Sequence, residues 1–420
     1  MQLNQIPQRK RRRYFKRINS SNFDVAHHLI GFKNNIMPDF QNLPSKLPAG
    51  KTSIFSVMSG LARKHKAIDL SQGFPNFETD NHLKELVCKA MKDGYNQYPP
   101  MNGIPELREQ IVSKIENLYG KKYDEASEII FTAGATQALY CAISAFVHPG
   151  DEVIVFKPAY DSYEPDIKLA GGKPVLIELK GKDFKIDWQE VEAKITSKTR
   201  MIVINTPHNP TGTVLSKSDM QQFEKLLQNT NIILLSDEVY EHLIFDEEQH
   251  QSASKFPGLA ERAIVCASFG KTFHNTGWKM GYCVAPEVLM KEIIKFHQAT
   301  VFCVNHPMQR AFAEYLKDPD HYLSLGNFYQ QKRDKFLELM QGSKFKGTPS
   351  KGTYFQVMDY SEITDEHDVD FAKRLITEHG LATIPVSVFH KDGKDHKQLR
   401  FCFAKTDETL EKAAEILHKL

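Results

Sequence analysis

Residues 199–240 read TRMIVINTPHNPTGTVLSKSDMQQFEKLLQNTNIILLSDEVY and alternate between two hydrophobic periods. The apolar runs Met201–Asn205 and Ile232–Leu235 are typical of strands, and Lys217–Leu227 between them has the apolar spacing of a helix. Both runs are too uniformly apolar for a strand with one wet face, so we expect both faces to be covered. The segment therefore predicts two parallel strands joined by a helix.

The same alternation continues from residue 81 to about residue 310. A second helical stretch covers Gln137–Val147. The further strand-like runs are Glu152–Phe156, Val175–Glu178, Ala263–Ala267 and Gly281–Ala285. Repeated units of this kind predict an α/β fold, with a mostly parallel sheet and helices on both of its faces. We assign residues 81–310 to one large domain.

The two ends of the chain have a different pattern. Beyond residue 310, long polar helices accompany short strands at Tyr354–Met358 and Gln398–Phe403, which predicts a smaller α+β domain over residues 311–420. Residues 37–80 are rich in Pro, Gly and Ser around one helix, Ile54–Lys64. We expect this segment to form an N-terminal arm and part of the small domain.

The composition excludes several classes of protein. The 420 residues are 41% hydrophobic and 25% charged, with 54 Lys and Arg against 52 Asp and Glu, so a chain disordered throughout is ruled out. The six cysteines show no C-x-x-C and no close Cys/His set, which argues against a disulfide scaffold or a metal site and fits a reducing compartment. No apolar run approaches the ~20 residues of a membrane span. We expect a cytoplasmic protein without a membrane partner.

Residues 1–36 form a basic arm with a net charge of +7. It lacks the apolar core of a secretory signal. Three interpretations remain open: a nucleic-acid-binding tail, an acid-poor targeting peptide of the mitochondrial kind, or a disordered extension translated from a start upstream of Met37. We favour a disordered extension.

Reactive side chains follow four of the predicted strands, where ligands bind in open α/β sheets. They are Tyr160, Asn209, Asp237, Tyr240, Ser268 and Lys271. Taken singly, Asp237 suits a helix N-cap and Tyr240 suits the core. Because all six are predicted at one edge of one sheet, their joint placement favours a functional site.

Small residues, Thr132-Ala133-Gly134-Ala135-Thr136, precede the helical stretch at residue 137. Free N–H groups at a helix start bind anions, although a plain capped helix start would look the same. The chain has neither a P-loop nor a strand-linked G-x-G-x-x-G, so the phosphate implied is a small one. An amine, a carboxylate, a phenol, an amide and an anion cradle together suggest pyridoxal 5′-phosphate, whose aldehyde forms a Schiff base with a lysine.

Several motifs resemble those of the class I/II aminotransferases, which have the fold of type I pyridoxal-phosphate enzymes. The motifs are SFGKTFHNTGWKMGY at 268–282, NTPHNPTG at 205–212, SDEVY at 236–240, NQY at 96–98 and LRFCFA at 399–404. The match runs from about Leu43 to the C-terminus and implies a mostly parallel, seven-stranded sheet in the large domain. Within the family, LSQGFP at 70–75 and YDSYEP at 160–165 are similar to methionine aminotransferases and to the kynurenine aminotransferase/cysteine-S-conjugate β-lyase group.

The resemblance implies a role for each residue around the cofactor. Lys271 would form the Schiff base and then move the proton as general base and acid. Asp237 would pair with the pyridine nitrogen, Tyr240 and Asn209 would bond the ring oxygen, and Tyr160 would stack on the ring. The residues expected to hold the phosphate are Ala135, Thr136, Ser268 and Lys279. Many relatives have Arg where this chain has Lys279, so the charge is kept but the bidentate geometry is not.

The resemblance also implies how substrate binds and how subunits combine. Arg400 would clamp the substrate carboxylate, with help from Asn209 and the backbone of Gly73. Tyr98 would reach the phosphate in the neighbouring subunit's site, which would require a homodimer. A cis Asn209–Pro210 bond is also expected.

These implications lead to three hypotheses. The first is an aminotransferase that moves the amino group of methionine, aromatic amino acids or kynurenine to a 2-oxo acid in two ping-pong half-reactions. The second keeps the cofactor but eliminates a leaving group from Cβ, as a cysteine-S-conjugate β-lyase does. The third is a nucleic-acid-binding regulator that acts through the basic arm. We prefer the first, with small-molecule substrates and no nucleic-acid partner.

Overall fold

The computed structural model describes residues 43–47 and 52–420. The short segment 43–47 contains neither helix nor strand, and its Leu47 N–H donates to Ser45 Oγ at 3.1 Å. The basic arm of residues 1–36 lies outside the described residues, so our interpretation of it stays a prediction. Among the helices that the structure describes, none combines the length and the apolar character needed to cross a membrane.

The strands fall into one large sheet and two small ones. They are β1 Ile68–Asp69, β2 Ile129–Thr132, β3 Glu152–Lys157, β4 Lys173–Glu178, β5 Thr199–Asn205, β6 Ile233–Asp237, β7 Ala263–Ser268, β8 Gly281–Val284, β9 Phe355–Asp359, β10 Leu381–Ala382, β11 Ile384–Pro385 and β12 Gln398–Cys402.

The α-helices lie between and after these strands. They are α1 Ile54–His65, α2 Asn81–Lys92, α3 Pro105–Tyr119, α4 Ala135–Phe146, α5 Tyr163–Leu169, α6 Trp188–Lys194, α7 Lys217–Leu227, α8 Pro257–Ala260, α9 Phe269–Thr272, α10 Glu287–Thr300, α11 His306–Tyr315, α12 Asp320–Leu323, α13 Leu325–Leu339, α14 Asp368–His379 and α15 Asp407–Leu417.

The large sheet has seven strands in the order β2-β8-β7-β6-β5-β3-β4. Strands β3, β4, β5, β6 and β7 all run in the same direction. Strand β8 runs antiparallel to both of its neighbours, β7 and β2. The prediction of a mostly parallel sheet is confirmed. From β3 the chain moves outward to β4, while from β5 it moves the other way to β6 and β7. The loops after β3 and β5 therefore diverge and leave a crevice at this switch point.

Both faces of the large sheet are covered, as the uniformly apolar runs predict. Along β3, Val153 and Val155 belong to one buried cluster, and Ile154 and Phe156 belong to another. This alternation is the two-residue period of a strand. Side chains of α4, α5 and α10 join the first cluster, and side chains of α7 join the second. The sheet is thus held rigidly between two apolar layers.

The predicted strands of the large sheet agree closely with the structure, with one omission. Helix α7 has the predicted bounds, and each predicted strand of the large sheet is present within two residues at either end. The four-residue strand Ile129–Thr132 was not predicted. It pairs with β8, with Thr132 opposite Gly281, at the edge of the sheet.

The segment that contains α1 and β1 packs onto the C-terminal part of the chain. Ile68 of β1 pairs with Leu381 of β10, and α1 packs against α14. Strands β11, β12 and β9 form a separate antiparallel sheet. This small sheet carries Arg400 on β12, directly opposite Val357 of β9.

Candidate active site

A cavity of about 170 Å³ opens at the carboxyl ends of the large sheet's parallel strands. The predicted site residues that line it are Ala135, Thr136, Tyr160, Asn209, Asp237, Tyr240, Ser268, Lys271 and Lys279. The structure thus brings together side chains that follow β3, β5, β6 and β7 in the sequence. Three further predicted residues, Gly73, Tyr98 and Arg400, are not part of this lining and are described below.

Lys271 lies on the short helix α9, just after β7. Its Nζ donates a 2.9 Å hydrogen bond to the carbonyl oxygen of Gly73 and stands 5.8 Å from the centre of the Tyr240 ring. Removal from bulk water lowers the pKa of Lys271 to about 8, because the charged form loses hydration. An appreciable fraction of the amine is therefore unprotonated near neutral pH.

Asp237 is the last residue of β6 and is almost fully buried. Its Oδ2 accepts a 2.6 Å hydrogen bond from the Tyr163 hydroxyl, and its Oδ1 accepts one of 3.3 Å from the Val239 N–H. Burial raises the pKa of Asp237 to about 6, while the two donors oppose that rise. At neutral pH Asp237 is therefore mostly ionised, and its carboxylate lines the same cavity as the amine of Lys271.

Tyr240 packs inside the protein rather than in solvent. Its ring stands edge-on to the rings of Tyr354 and Phe355, at 5.2 and 6.0 Å between centroids. Burial raises the pKa of the Tyr240 hydroxyl, so this group remains a hydrogen-bond donor throughout the physiological range.

The start of helix α4 forms the other end of the cavity. Its N-cap residue, Gly134, has φ 74°, and no side chain caps the first N–H groups of the helix. A Cβ at Gly134 would lie 3.2 Å from Lys279 Nζ, and one at Gly281 would lie 2.8 Å from the Ala135 nitrogen. Glycine at both positions lets uncapped N–H groups and the Lys279 ammonium share one small space. Such an arrangement suits a phosphate.

Arg400 stands beside the cavity with its guanidinium buried. Its two terminal nitrogens donate to Asn209 Oδ1 at 2.8 Å and to the carbonyl oxygen of Ser71 at 2.9 Å, and its Nε has no partner among the described residues. The guanidinium also lies 3.8 Å from the centre of the Phe355 ring. These hydrogen bonds go to neutral oxygens, and the carboxylate of Asp161 acts on the guanidinium only through space.

Tyr98 lies away from this chain's own cavity. It is 82% exposed and makes an edge-on contact with Phe302, which is itself 43% exposed.

The loop after β5 contains the peptide bond that was expected to be cis. The Asn209–Pro210 bond is cis in the structure, so this prediction is confirmed.

Several residues around the site were not singled out from the sequence. Tyr163 holds Asp237, Ser71 holds Arg400, and Tyr354 donates its hydroxyl to the same Gly73 carbonyl that accepts from Lys271. Tyr163 and Ser71 occur inside the YDSYEP and LSQGFP motifs, which was a usable signal. Tyr354 directly precedes β9, and nothing in its local pattern distinguishes it from a core tyrosine.

The geometry agrees with what known proteins show. Residues 65–417 match the family model described as aminotransferase class I and II. The chain belongs to this family. The resemblance inferred from the motifs is thereby confirmed, and members of the family use pyridoxal phosphate.

Curated relatives of this aminotransferase cover nearly its whole length. It is 48% identical over 377 residues to a methionine aminotransferase of Escherichia coli, a match that spans 90% of this chain and 98% of the relative. It is 36% identical over 410 residues to a kynurenine–oxoglutarate transaminase of Dictyostelium discoideum, and this match spans 88% of this chain and 94% of the relative. An Escherichia coli crystal structure identified with a methionine aminotransferase function superimposes with a TM-score of 0.88 at 48% identity, over 90% of this chain and 99% of the other.

Proposed function

We propose that this aminotransferase transfers the amino group of methionine, aromatic amino acids or kynurenine to a 2-oxo acid in two ping-pong half-reactions. The observation that carries the proposal is that the Lys271 amine and the Asp237 carboxylate line one cavity, next to the buried guanidinium of Arg400. The names of the Escherichia coli and Dictyostelium relatives support methionine and kynurenine as donors.

The residues of the cavity fit pyridoxal phosphate as the cofactor. Its phosphate would be held by the α4 N–H groups of Ala135 and Thr136 together with Ser268 and Lys279. Asp237 would face the ring nitrogen, Tyr240 and Asn209 would bond the ring oxygen, and Tyr160 would stack on the ring. When bound, the cofactor supplies an aldehyde carbon that exchanges the amino group and a ring that draws electrons from the substrate α-carbon.

Lys271 is the group that handles protons in this proposal. A pKa of about 8 means that Nζ accepts and returns a proton near neutral pH with little energetic penalty. Its hydrogen bond to the Gly73 carbonyl holds the amine at the cavity and away from solvent. Lys271 would therefore move the proton between the substrate α-carbon and the carbon that receives it.

Arg400 would select a free amino acid by its carboxylate. A carboxylate takes two parallel hydrogen bonds from a guanidinium, and the Nε of Arg400 has no partner within the part of the chain that the structure describes. The surrounding surface is aromatic, with the Phe55 ring 5.2 Å and the Phe389 ring 5.9 Å from the guanidinium. Rings of this kind suit uncharged, bulky side chains such as those of methionine and the aromatic amino acids.

The proposal includes a homodimer in the cytoplasm. The exposed Tyr98 would contact the cofactor phosphate held by a second copy of the chain, so that each site takes residues from both copies. Within one copy, residues 81–310 would form the large cofactor-binding domain, and residues 37–80 and 311–420 would contribute to the small one.

A panel of amino donors tests the proposed function. Methionine, phenylalanine, tyrosine, kynurenine and glutamate would each be offered with 2-oxoglutarate and with the 2-oxo acid of methionine. We expect transfer from methionine and the aromatic donors. In Lys271→Ala we expect the visible absorbance band of the lysine-bound cofactor to be lost and turnover to fall by ~10⁴-fold. Lys332→Ala, which removes a lysine that pairs with Asp407 and does not line the cavity, serves as the control.

Two results would contradict the proposal. One is full turnover by Lys271→Ala, and the other is no amino transfer from any donor. A cysteine S-conjugate in the same panel measures the competing elimination, because pyruvate then forms in place of the oxo acid of the donor.

A further inference from the structure

Tyr163 contacts two of the residues proposed to face the cofactor ring. It is the first residue of α5 and is only 2% exposed. Its hydroxyl donates to Asp237 Oδ2 at 2.6 Å, and its ring stands edge-on to the Tyr160 ring, with 5.8 Å between centroids and 76° between planes. One buried side chain thus joins the carboxylate expected at the ring nitrogen to the ring expected to stack on the cofactor.

The sheet holds Tyr163 in a fixed position. Lys157, at the end of β3, forms a 2.9 Å ion pair with Glu164, the next residue of α5. The helix also packs against α4, whose N-terminus forms the anion end of the cavity. Tyr163 is therefore placed by the same two elements that build the site.

The proton of the Tyr163–Asp237 hydrogen bond belongs to the tyrosine. Burial and the nearby Asp237 charge both raise the pKa of Tyr163, so its hydroxyl stays protonated and donates. A donor to a carboxylate favours the charged form of that carboxylate and opposes the effect of burial on Asp237. The Val239 N–H on the other oxygen then fixes the plane of the carboxylate.

We propose that Tyr163 is a positioning residue that holds Asp237 charged and oriented toward the protonated ring nitrogen of the cofactor. The inference rests on the proposed function, because it needs pyridoxal phosphate in the cavity. Tyr163 itself touches neither the reacting atoms nor the substrate in this arrangement. It acts through Asp237, and its ring also limits the positions that Tyr160 can take.

The test separates the hydrogen bond from packing by changing both the protein and the ligand. Tyr163→Phe keeps the ring and removes only the donor. The full-length chain, stripped of cofactor, is titrated with pyridoxal phosphate and with its 1-deaza analogue, which has carbon in place of the ring nitrogen. Tyr123→Phe is the matched control, because Tyr123 is also 2% exposed and its hydroxyl bonds Ser254 at 3.0 Å, away from the cavity.

We expect Tyr163→Phe to bind pyridoxal phosphate about tenfold more weakly, in the range for a hydrogen bond to a charged group, and to bind the analogue as the wild type does. Tyr123→Phe should leave both affinities unchanged. In an Asp237→Asn background, Tyr163→Phe should weaken pyridoxal-phosphate binding by less than about a further twofold, because the residue that Tyr163 acts through has already lost its charge. In the loaded enzyme, kcat should fall with little change in KM, and the acid limb of the pH profile should move up by about one pH unit.

Two results would overturn the inference and leave Tyr163 with a packing role only. One is that Tyr163→Phe weakens the binding of both ligands equally. The other is that the losses of affinity caused by Tyr163→Phe and Asp237→Asn are fully additive. A wild-type chain that binds neither ligand would instead overturn the proposed function. The two failures are therefore distinguishable within one set of titrations.

Discussion

The ammonium of Lys114 on α3 donates a 2.6 Å hydrogen bond to the carboxylate of Glu241, and the two side chains are only 5% and 6% exposed. The hydroxyls of Tyr282 and Tyr119 donate to the same carboxylate at 3.0 and 2.7 Å. Because Glu241 follows Tyr240 directly, this buried ion pair anchors the segment that presents Tyr240 to the cavity. Its Coulomb attraction and its extra donors offset the loss of hydration on burial.

Breaking this pair should destabilise the fold strongly. Lys114→Met leaves a buried carboxylate without its counter-charge, and we expect the free energy of unfolding in urea to fall by about 3–5 kcal/mol. Replacing both partners, as Lys114→Met with Glu241→Leu, should recover most of that loss. Lys412→Met, which breaks an exposed pair with Glu408, should leave the free energy of unfolding nearly unchanged. Similar losses in the two lysine variants would contradict the prediction.

The fold should lose stability in mild acid through His208, which is buried in the loop after β5. Burial lowers the pKa of His208 from 6.5 to about 4. Between pH 6.5 and about 4 the imidazole is protonated in the unfolded chain but neutral in the folded protein. The stability that the neutral His208 contributes is therefore complete above pH 6.5 and is lost as the pH falls to about 4. It amounts to about 3 kcal/mol. Urea unfolding measured from pH 7 to pH 4 should show that the free energy of unfolding falls less steeply in His208→Gln than in the wild type. Parallel pH dependences for the two proteins would contradict this prediction.

Arg400→Lys should weaken substrate binding rather than the chemical step. Lysine keeps the charge but cannot form two parallel hydrogen bonds to a carboxylate, so we expect KM for the amino donor to rise by about tenfold to a hundredfold. Steady-state kinetics with methionine measure the change. Arg262→Lys is the control, because that guanidinium bonds the Thr230 carbonyl oxygen and does not line the cavity. An unchanged KM in Arg400→Lys would show that another group binds the substrate carboxylate.

Two inactive variants should restore activity when they share a dimer. In a mixed dimer of Tyr98→Ala with Lys271→Ala, one site has Lys271 from the first chain and Tyr98 from the second. Random refolding of an equal mixture should therefore rebuild about a quarter of the sites. Activity and molecular mass are measured before and after mixing. If the mixture stays as inactive as its components, or if the protein is a monomer, Tyr98 does not act across an interface.

Much of the fold could be predicted from local patterns. Lys217–Leu227 has helical apolar spacing over eleven residues, and the helix has those bounds. Ile129–Thr132 was not predicted because four residues, three of them apolar, are too few to show a period. Its place in the sheet depends on pairing with β8, which is more than 140 residues away in the sequence.

For the candidate site too, some features could be predicted from the sequence and others could not. Asp237, Ser268 and Lys271 were predicted together because parallel strands end at one edge of a sheet, and all three line the cavity. The hydrogen bond of Lys271 to Gly73 and that of Arg400 to Ser71 join residues 198 and 329 positions apart. No local pattern encodes such contacts.

From the sequence alone came the alternation of strands and helices, the reactive residues at the strand ends, and the motifs of the family, because each depends on residues near one another in the chain. The tertiary structure decided which oxygen holds the lysine amine, which hydroxyl holds the buried carboxylate of Asp237, and how the substrate-binding guanidinium is oriented. Those outcomes follow from how separate elements pack, and hydrogen-bond geometry and loss of hydration are set only when that packing is complete.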